Sequence, residues 1–165
     1  MLKRPLKIIG INPGSKCLGL AIFQESDLRY WGINTLKGKG SKEKIKKTRE
    51  ILSDLFLRYD IGALAIKKLH PSRSSKNLNR LAAEIKGFSK RKGLRVYEYS
   101  LKDLEEFFYP KERINKKKLS EIIAAMYPAL LHELKKEKTH KNPYHIRMFE
   151  AVALASTCFH QLDKH

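Results

Sequence analysis

Asn12 is a polar side chain at the end of an otherwise apolar strand, Ile8-Ile9-Gly10-Ile11, just before a Pro13-Gly14 turn. The end of a buried strand holds a side chain rigidly, so catalytic and binding groups are often mounted there. An amide in this place serves either as such a group or as the cap of the turn. The chain then runs apolar again from Leu18 to Phe23, with Gly19 where a side chain would obstruct a neighbour. A second apolar run, Ile61-Gly62-Ala63-Leu64-Ala65-Ile66, reads as a buried central strand and ends in Lys67-Lys68-Leu69-His70-Pro71. Ammonium groups at a strand end suit phosphate oxygens.

Composition narrows the partners. The 165 residues carry 35 Lys and Arg against 17 Asp and Glu, a formal charge of +18. A field of that sign over a small protein points to a polyanion, with nucleic acid ahead of an anionic membrane surface. At 42% hydrophobic residues the chain can bury a sizeable core, and one domain over 1–165 is expected. No run approaches the ~18 apolar residues of a membrane span, so no membrane association is expected. Cys17 and Cys158 lie far apart in apolar runs and read as buried free thiols, which fits the reducing cytoplasm.

The elements that must position these residues follow in order. A third strand is expected over 27–36, carrying Trp31 either on the core or at the sheet edge. A basic loop with Ser41 as cap leads into a helix that keeps Ile45, Leu52, Leu55 and Phe56 on one side. Residues 73–92 form a second helix with a stripe of Leu78, Leu81, Ile85 and Phe88, which either packs on the sheet or meets a partner. A strand over 93–99 follows, then a short helix capped by Ser100 and a basic loop through Pro110. A helix runs from Asn115-Lys116-Lys117-Lys118 to about Tyr127, and 135–141 form a charged loop. The last helix covers about 143–162, with Glu150-Ala151-Val152-Ala153-Leu154-Ala155 at its centre.

The string Gly10-Ile11-Asn12-Pro13-Gly14-Ser15, with Gly19 in the next strand, resembles the opening of RuvC-type Holliday-junction resolvases in the RNase H-like superfamily. Those proteins have Gly-Ile-Asp-Pro-Gly-Ser there. Ala65-Ile66-Lys67 resembles their Ala-Ile-Glu strand end. The Ala-rich last helix resembles their Asp-x-x-Asp-Ala-x-Ala segment, with Arg147 and Glu150 at the two acid positions. The order of elements matches over nearly the whole length. The resemblance implies an α/β, RNase H-like (RuvC-like) fold: a mixed five-stranded sheet flanked by helices. It also implies a dimer interface on the helix that carries Leu78, Leu81, Ile85 and Phe88.

The same resemblance locates a damaged site. Relatives cleave DNA with two magnesium ions held by four acids, and the matching positions here are Asn12, Lys67, Arg147 and Glu150. One carboxylate remains, against two cations. Magnesium needs oxygen ligands, so no metal site and no cofactor are expected, and the catalytic positions are read as degenerate. The Lys67 ammonium would take the space of a metal, pairing with Glu150 and with the Asn12 carbonyl. Arg147 would pair with Glu150 or reach a phosphate. His145, five residues before Glu150, falls about 140° round the helix and cannot replace an acid.

Nucleic-acid contacts are expected from Lys16 and Lys39 near the first turns. Lys67, Lys68, His70, Arg73 and Lys76 supply more from the loop after the central strand. Lys116, Lys117, Lys118 and Arg147 complete the set. The basic runs are 37–49, 67–76, 86–95, 111–118 and 135–141, the last better read as solvated surface. The expected function is recognition of branched DNA without cleavage, as a homodimer. The alternatives are a magnesium-dependent junction endonuclease with acids relocated to Asp103, Glu105 and Glu106, and a module that docks on RNA. Phosphate-driven affinity alone does not separate DNA from RNA.

Overall fold

The computed structural model describes residues 4–38, 40–109, 115–139 and 144–163, and their side chains except those of 137–139, 144 and 145. Three strands come first: β1 (Lys7–Pro13), β2 (Cys17–Gln24) and β3 (Asp27–Thr35). They form an antiparallel meander, with a register shift at Ile22/Phe23. After helix α1 (Ser41–Tyr59), β4 (Ala63–Lys67) pairs parallel to β1. After α2 (Lys76–Arg91), β5 (Arg95–Tyr99) pairs parallel to β4. The sheet order is β3-β2-β1-β4-β5. Helices α3 (Leu101–Phe108), α4 (Lys116–Met126), α5 (Leu131–Thr139) and α6 (Tyr144–Asp163) complete the chain, with a 3-10 turn over Pro128–Leu130. The expected mixed five-stranded α/β sheet is the one observed.

Strand alternation sorts the core into two layers. Ile9 and Ile11 of β1, Leu18, Leu20 and Ile22 of β2, and Leu64 and Ile66 of β4 face α1 and α2. Ile8, Ala21, Ala63 and Ala65 face α6 and α4. Trp31 packs partly buried on that second layer. The small residues on that side let α6 lie very close. A Cβ added to Gly10 would strike the Ala151 carbonyl oxygen, and one on Gly19 would strike that of Arg147. Both obstacles are helix backbone, so neither can swing aside.

Several expectations are corrected. Of the two readings open for the α2 stripe, packing inside the subunit is seen: Leu81, Ile85 and Phe88 are buried against α1 and the sheet, and Leu78 packs partly buried beside them. Phe88 stacks on Phe56 of α1, centroids 6.0 Å apart. Packing on the sheet and α1 accounts for Leu81, Ile85 and Phe88, while Leu78 stays partly exposed. Ser41 is the first helical residue and not the cap, a place taken by Gly40 without a side-chain bond. Helix α2 starts at Lys76, later than expected, because Ser75 caps it by accepting from the Leu78 amide at 3.1 Å. Ser100 caps α3 as expected, in a reciprocal box with Asp103. Residues 135–139 are helical, not loop; 140–141 lie outside the described residues.

Because the helix–sheet contact is backbone on backbone, Gly19→Ala and Gly10→Ala are each expected to cost about 3 kcal/mol, the upper end for overpacking. Gly62→Ala, whose Cβ would meet only the Lys7 carbonyl oxygen at 3.9 Å, should stay within about 0.5 kcal/mol. Urea midpoints of the three variants test this. Equal midpoints would refute the close approach.

Candidate functional site: a lysine-locked carboxylate at the strand ends

Parallel pairing of β1 with β4 matches Gly10 to Ala65 and Ile11 to Ile66. One residue further on, this brings Asn12 level with Lys67. Both sit on the α6 side of the sheet by alternation with Gly10 and Ala65. In α6, Arg147 and Glu150 are three apart and Arg147 and Ala151 four apart, so they share the face turned to the sheet. The carbonyl of Arg147 abuts Gly19, and Gly19 is the register partner of Asn12. The residues singled out at the two strand ends and in the last helix therefore do meet.

Glu150 is the centre. Its residue is 2% exposed and Asn12 is 1% exposed. The Asn12 amide nitrogen donates to Glu150 Oε2 at 2.8 Å and, more weakly, to the Arg147 carbonyl at 3.4 Å. The Lys67 ammonium donates to the same Oε2 at 2.9 Å, and its side chain is 19% exposed. The expected Lys67–Glu150 pair is thus present. The expected bond from Lys67 to the Asn12 carbonyl is not: Asn12 Oδ1 has no hydrogen-bond partner, because the amide presents its nitrogen to the carboxylate. Arg147 does not pair with Glu150 either.

Lys116, at the start of α4, is one of three adjacent basic residues in the sequence, and the fold singles it out. Its ammonium stands 3.5 Å from Glu150 Oε1, with its side chain 51% exposed. That distance gives an ion pair without a hydrogen bond, and Oε1 has no hydrogen-bond donor. The Arg147 guanidinium lies on the β1–β2 turn. A Cβ at Gly14 would come within 2.7 Å of its Cζ and Nη1. It has no carboxylate partner among the described residues. Burial pushes the neighbouring Cys17 thiol up from its usual value, and the charge of Arg147 opposes that shift.

The remaining basic residues divide. Lys16, Lys68, His70, Arg73 and Lys76 are exposed, on the turn and loop that follow the same strand ends; Lys117 and Lys118 are exposed at the head of α4. His70 Nδ1 lies 2.8 Å from Ser72 Oγ. Lys39 lies outside the described residues. The run over 86–95 does not join this face: it occupies the end of α2 and the start of β5, at the other edge of the sheet. There Lys86 is paired with Glu98 at 2.6 Å.

Magnesium does not fit this donor set. It takes several oxygens in a near-octahedral shell, usually with carboxylates for its charge. Here the single carboxylate already has two nitrogen donors on Oε2 and an ammonium beside Oε1. Nor do the alternative acids regroup. Asp103 is engaged in the α3 cap, and among the described residues no three His, Cys, Asp or Glu side chains are placed to share an ion.

Comparison with solved structures identifies the architecture. Thermus thermophilus RuvC superposes with a TM-score of 0.73 at 15% identity, over 96% of this chain and 97% of that one. The same enzyme in complex with a Holliday junction substrate gives 0.71 at 15% identity, over 96% of both chains. The yeast mitochondrial Holliday junction resolvase gives 0.68 at 11% identity, over 100% of this chain and 83% of that one. The fold is RuvC-like. No family model matches the sequence. No curated protein matches it either.

If Lys67 is the counterion of a buried carboxylate, its loss strands that charge. Lys67→Met is expected to cost about 3 kcal/mol, and Lys67→Met/Glu150→Gln to recover at least half of that. Chemical denaturation of the pair measures both. Wild-type stability in Lys67→Met would show that the ammonium does not hold the site.

Proposed function

We propose that this protein binds branched nucleic acid, four-way DNA junctions foremost, through the face at the ends of β1 and β4, and that it does so without a divalent cation. The observation that carries the proposal is the state of Glu150. The last acid of the four is filled by Lys67 and Asn12, so the place where a metal would bridge protein and phosphate presents cations instead. Phosphate oxygens can then be met directly.

Two further facts support the same reading. Cationic side chains gather at this edge: Lys16, Lys68, Arg73 and Lys76 are exposed there, and among the described residues they have no ion-pair partner. The N-termini of α1, α2 and α4 point to the same edge and add the positive ends of their dipoles. The fold likeness includes a RuvC solved in complex with a Holliday junction substrate.

The test is binding and cleavage of an immobile four-way DNA junction, with linear duplex and folded RNA as competitors, in magnesium and in chelator. Junction-preferring binding that is equal in both buffers, with no nicking, is expected. Affinity should fall steeply with salt, since phosphate neutralisation releases counterions. Magnesium-dependent nicking abolished by Glu150→Gln would overturn the proposal in favour of an active nuclease. Preference for RNA would redirect it to an RNA-docking protein.

A further inference from the structure

Two cations stand at Glu150, Lys67 and Lys116, and a third, Arg147, projects onto the adjoining β1–β2 turn; the three are not equivalent, and their differences assign separate tasks. Lys67 is mostly enclosed and hydrogen-bonded at 2.9 Å to a carboxylate that is itself buried. Moving it to a ligand would strand that carboxylate, at a cost of several kcal/mol. Lys116 is half exposed and makes no hydrogen bond to Oε1 at 3.5 Å. Its three N–H donors stay available while it stays close. Arg147 keeps its guanidinium on the turn at Gly14 with no carboxylate partner among the described residues. It therefore retains the planar fork that takes two oxygens of one phosphate.

We propose that Lys116 and Arg147 form the seat for one backbone phosphodiester, and that Lys67 is a positioning residue that never touches the nucleic acid. This rests on the junction-binding reading above and deepens it. The pair Glu150–Lys67 is neutral, so Lys116 beside it and Arg147 on the adjoining turn carry the surplus charge. Gly14 belongs to the seat because any side chain there would displace the guanidinium. Asn12 contributes through the Arg147 carbonyl, fixing the first turn of α6 from which the guanidinium extends.

The experiment is a salt titration of an immobile four-way DNA junction in chelator, by fluorescence anisotropy, with thermal melting of each variant. The variants are Lys116→Gln, Arg147→Gln, their double, Lys67→Met, and Lys67→Met/Glu150→Gln. One shared phosphate predicts that the double variant loses about 0.9 from the slope of log affinity against log salt, with each single variant losing less. Between 50 and 200 mM salt that is a loss of about 3.5-fold in salt sensitivity. Its melting temperature should match wild type. Lys67→Met should melt lower with an unchanged slope, and Lys67→Met/Glu150→Gln, which keeps the site neutral, should also keep the slope. An unchanged slope in the double variant, with wild type still binding the junction, would overturn the seat and leave the junction reading standing. A slope loss in Lys67→Met/Glu150→Gln equal to that of the double would overturn the positioning role. Failure of wild type to bind junction, duplex or RNA would overturn both proposals together.

Discussion

Helix α6 rests on bare strand backbone, and the rest of the site depends on that contact. Gly10 and Gly19 present no side chains to it, and Ala151 and Ala155 present small ones. The helix therefore comes close enough for the Asn12 side chain to bond both Glu150 and the Arg147 carbonyl. A thicker layer between helix and sheet would place the same residues out of reach. The same closeness seals Glu150 from water. The need for a cation at this point is created by packing, before any ligand is considered.

A buried carboxylate must be neutralised by something, and the choice determines what the surface can bind. A cluster of acids begins with excess negative charge and draws divalent ions. This cluster begins with one carboxylate between two ammonium groups, with the Arg147 guanidinium on the adjoining turn. A dication 4 Å from one unpaired cation would be opposed by about 8 kcal/mol at an effective dielectric of 20. An anion in the same place is favoured by the same electrostatics. Lysine also differs from a metal in permanence. Its ammonium is covalently tied to the end of β4 and cannot exchange, so the joint between sheet and helix does not vary with the metal content of the medium.

Much of this was legible in the residues. Strand ends were marked by Pro13-Gly14 and by the switch from Ile66 to Lys67, and it was the resemblance to the resolvase pattern that matched Asn12 and Lys67 to one site. The Lys67–Glu150 pair followed from opposite charges at two positions that the same resemblance brings together. What could not be read was orientation. An amide has two ends, and only the surrounding donors and acceptors decide which one faces the carboxylate. Lys116 could not be told from Lys117 and Lys118, since α4 is far from Glu150 in sequence and its approach is set by how α4 packs on α6. The stripe from Leu78 to Phe88 stayed open in the sequence for a different reason. Periodicity shows that a helix face is apolar but not what covers it, and here α1 does.

The formal charge of +18 is accordingly a poor guide until the fold sorts it. Arg49, Arg58 and Lys86 are tied to Glu84, Asp54 and Glu98 within 2.8 Å, on α1, α2 and the edge strand β5. Exposed pairs of this kind contribute little to stability, yet they remove those cations from the field a ligand meets. The topology does the opposite at the other edge. Because β1 and β4 run parallel, their C-terminal ends open on one side, and the loops that leave them carry Lys16, Lys68 and Arg73, with Lys76 at the head of α2. Parallel pairing thus converts a diffuse basic composition into a directed one, and the locked Glu150 at its centre keeps that direction from being cancelled by a metal-binding acid cluster.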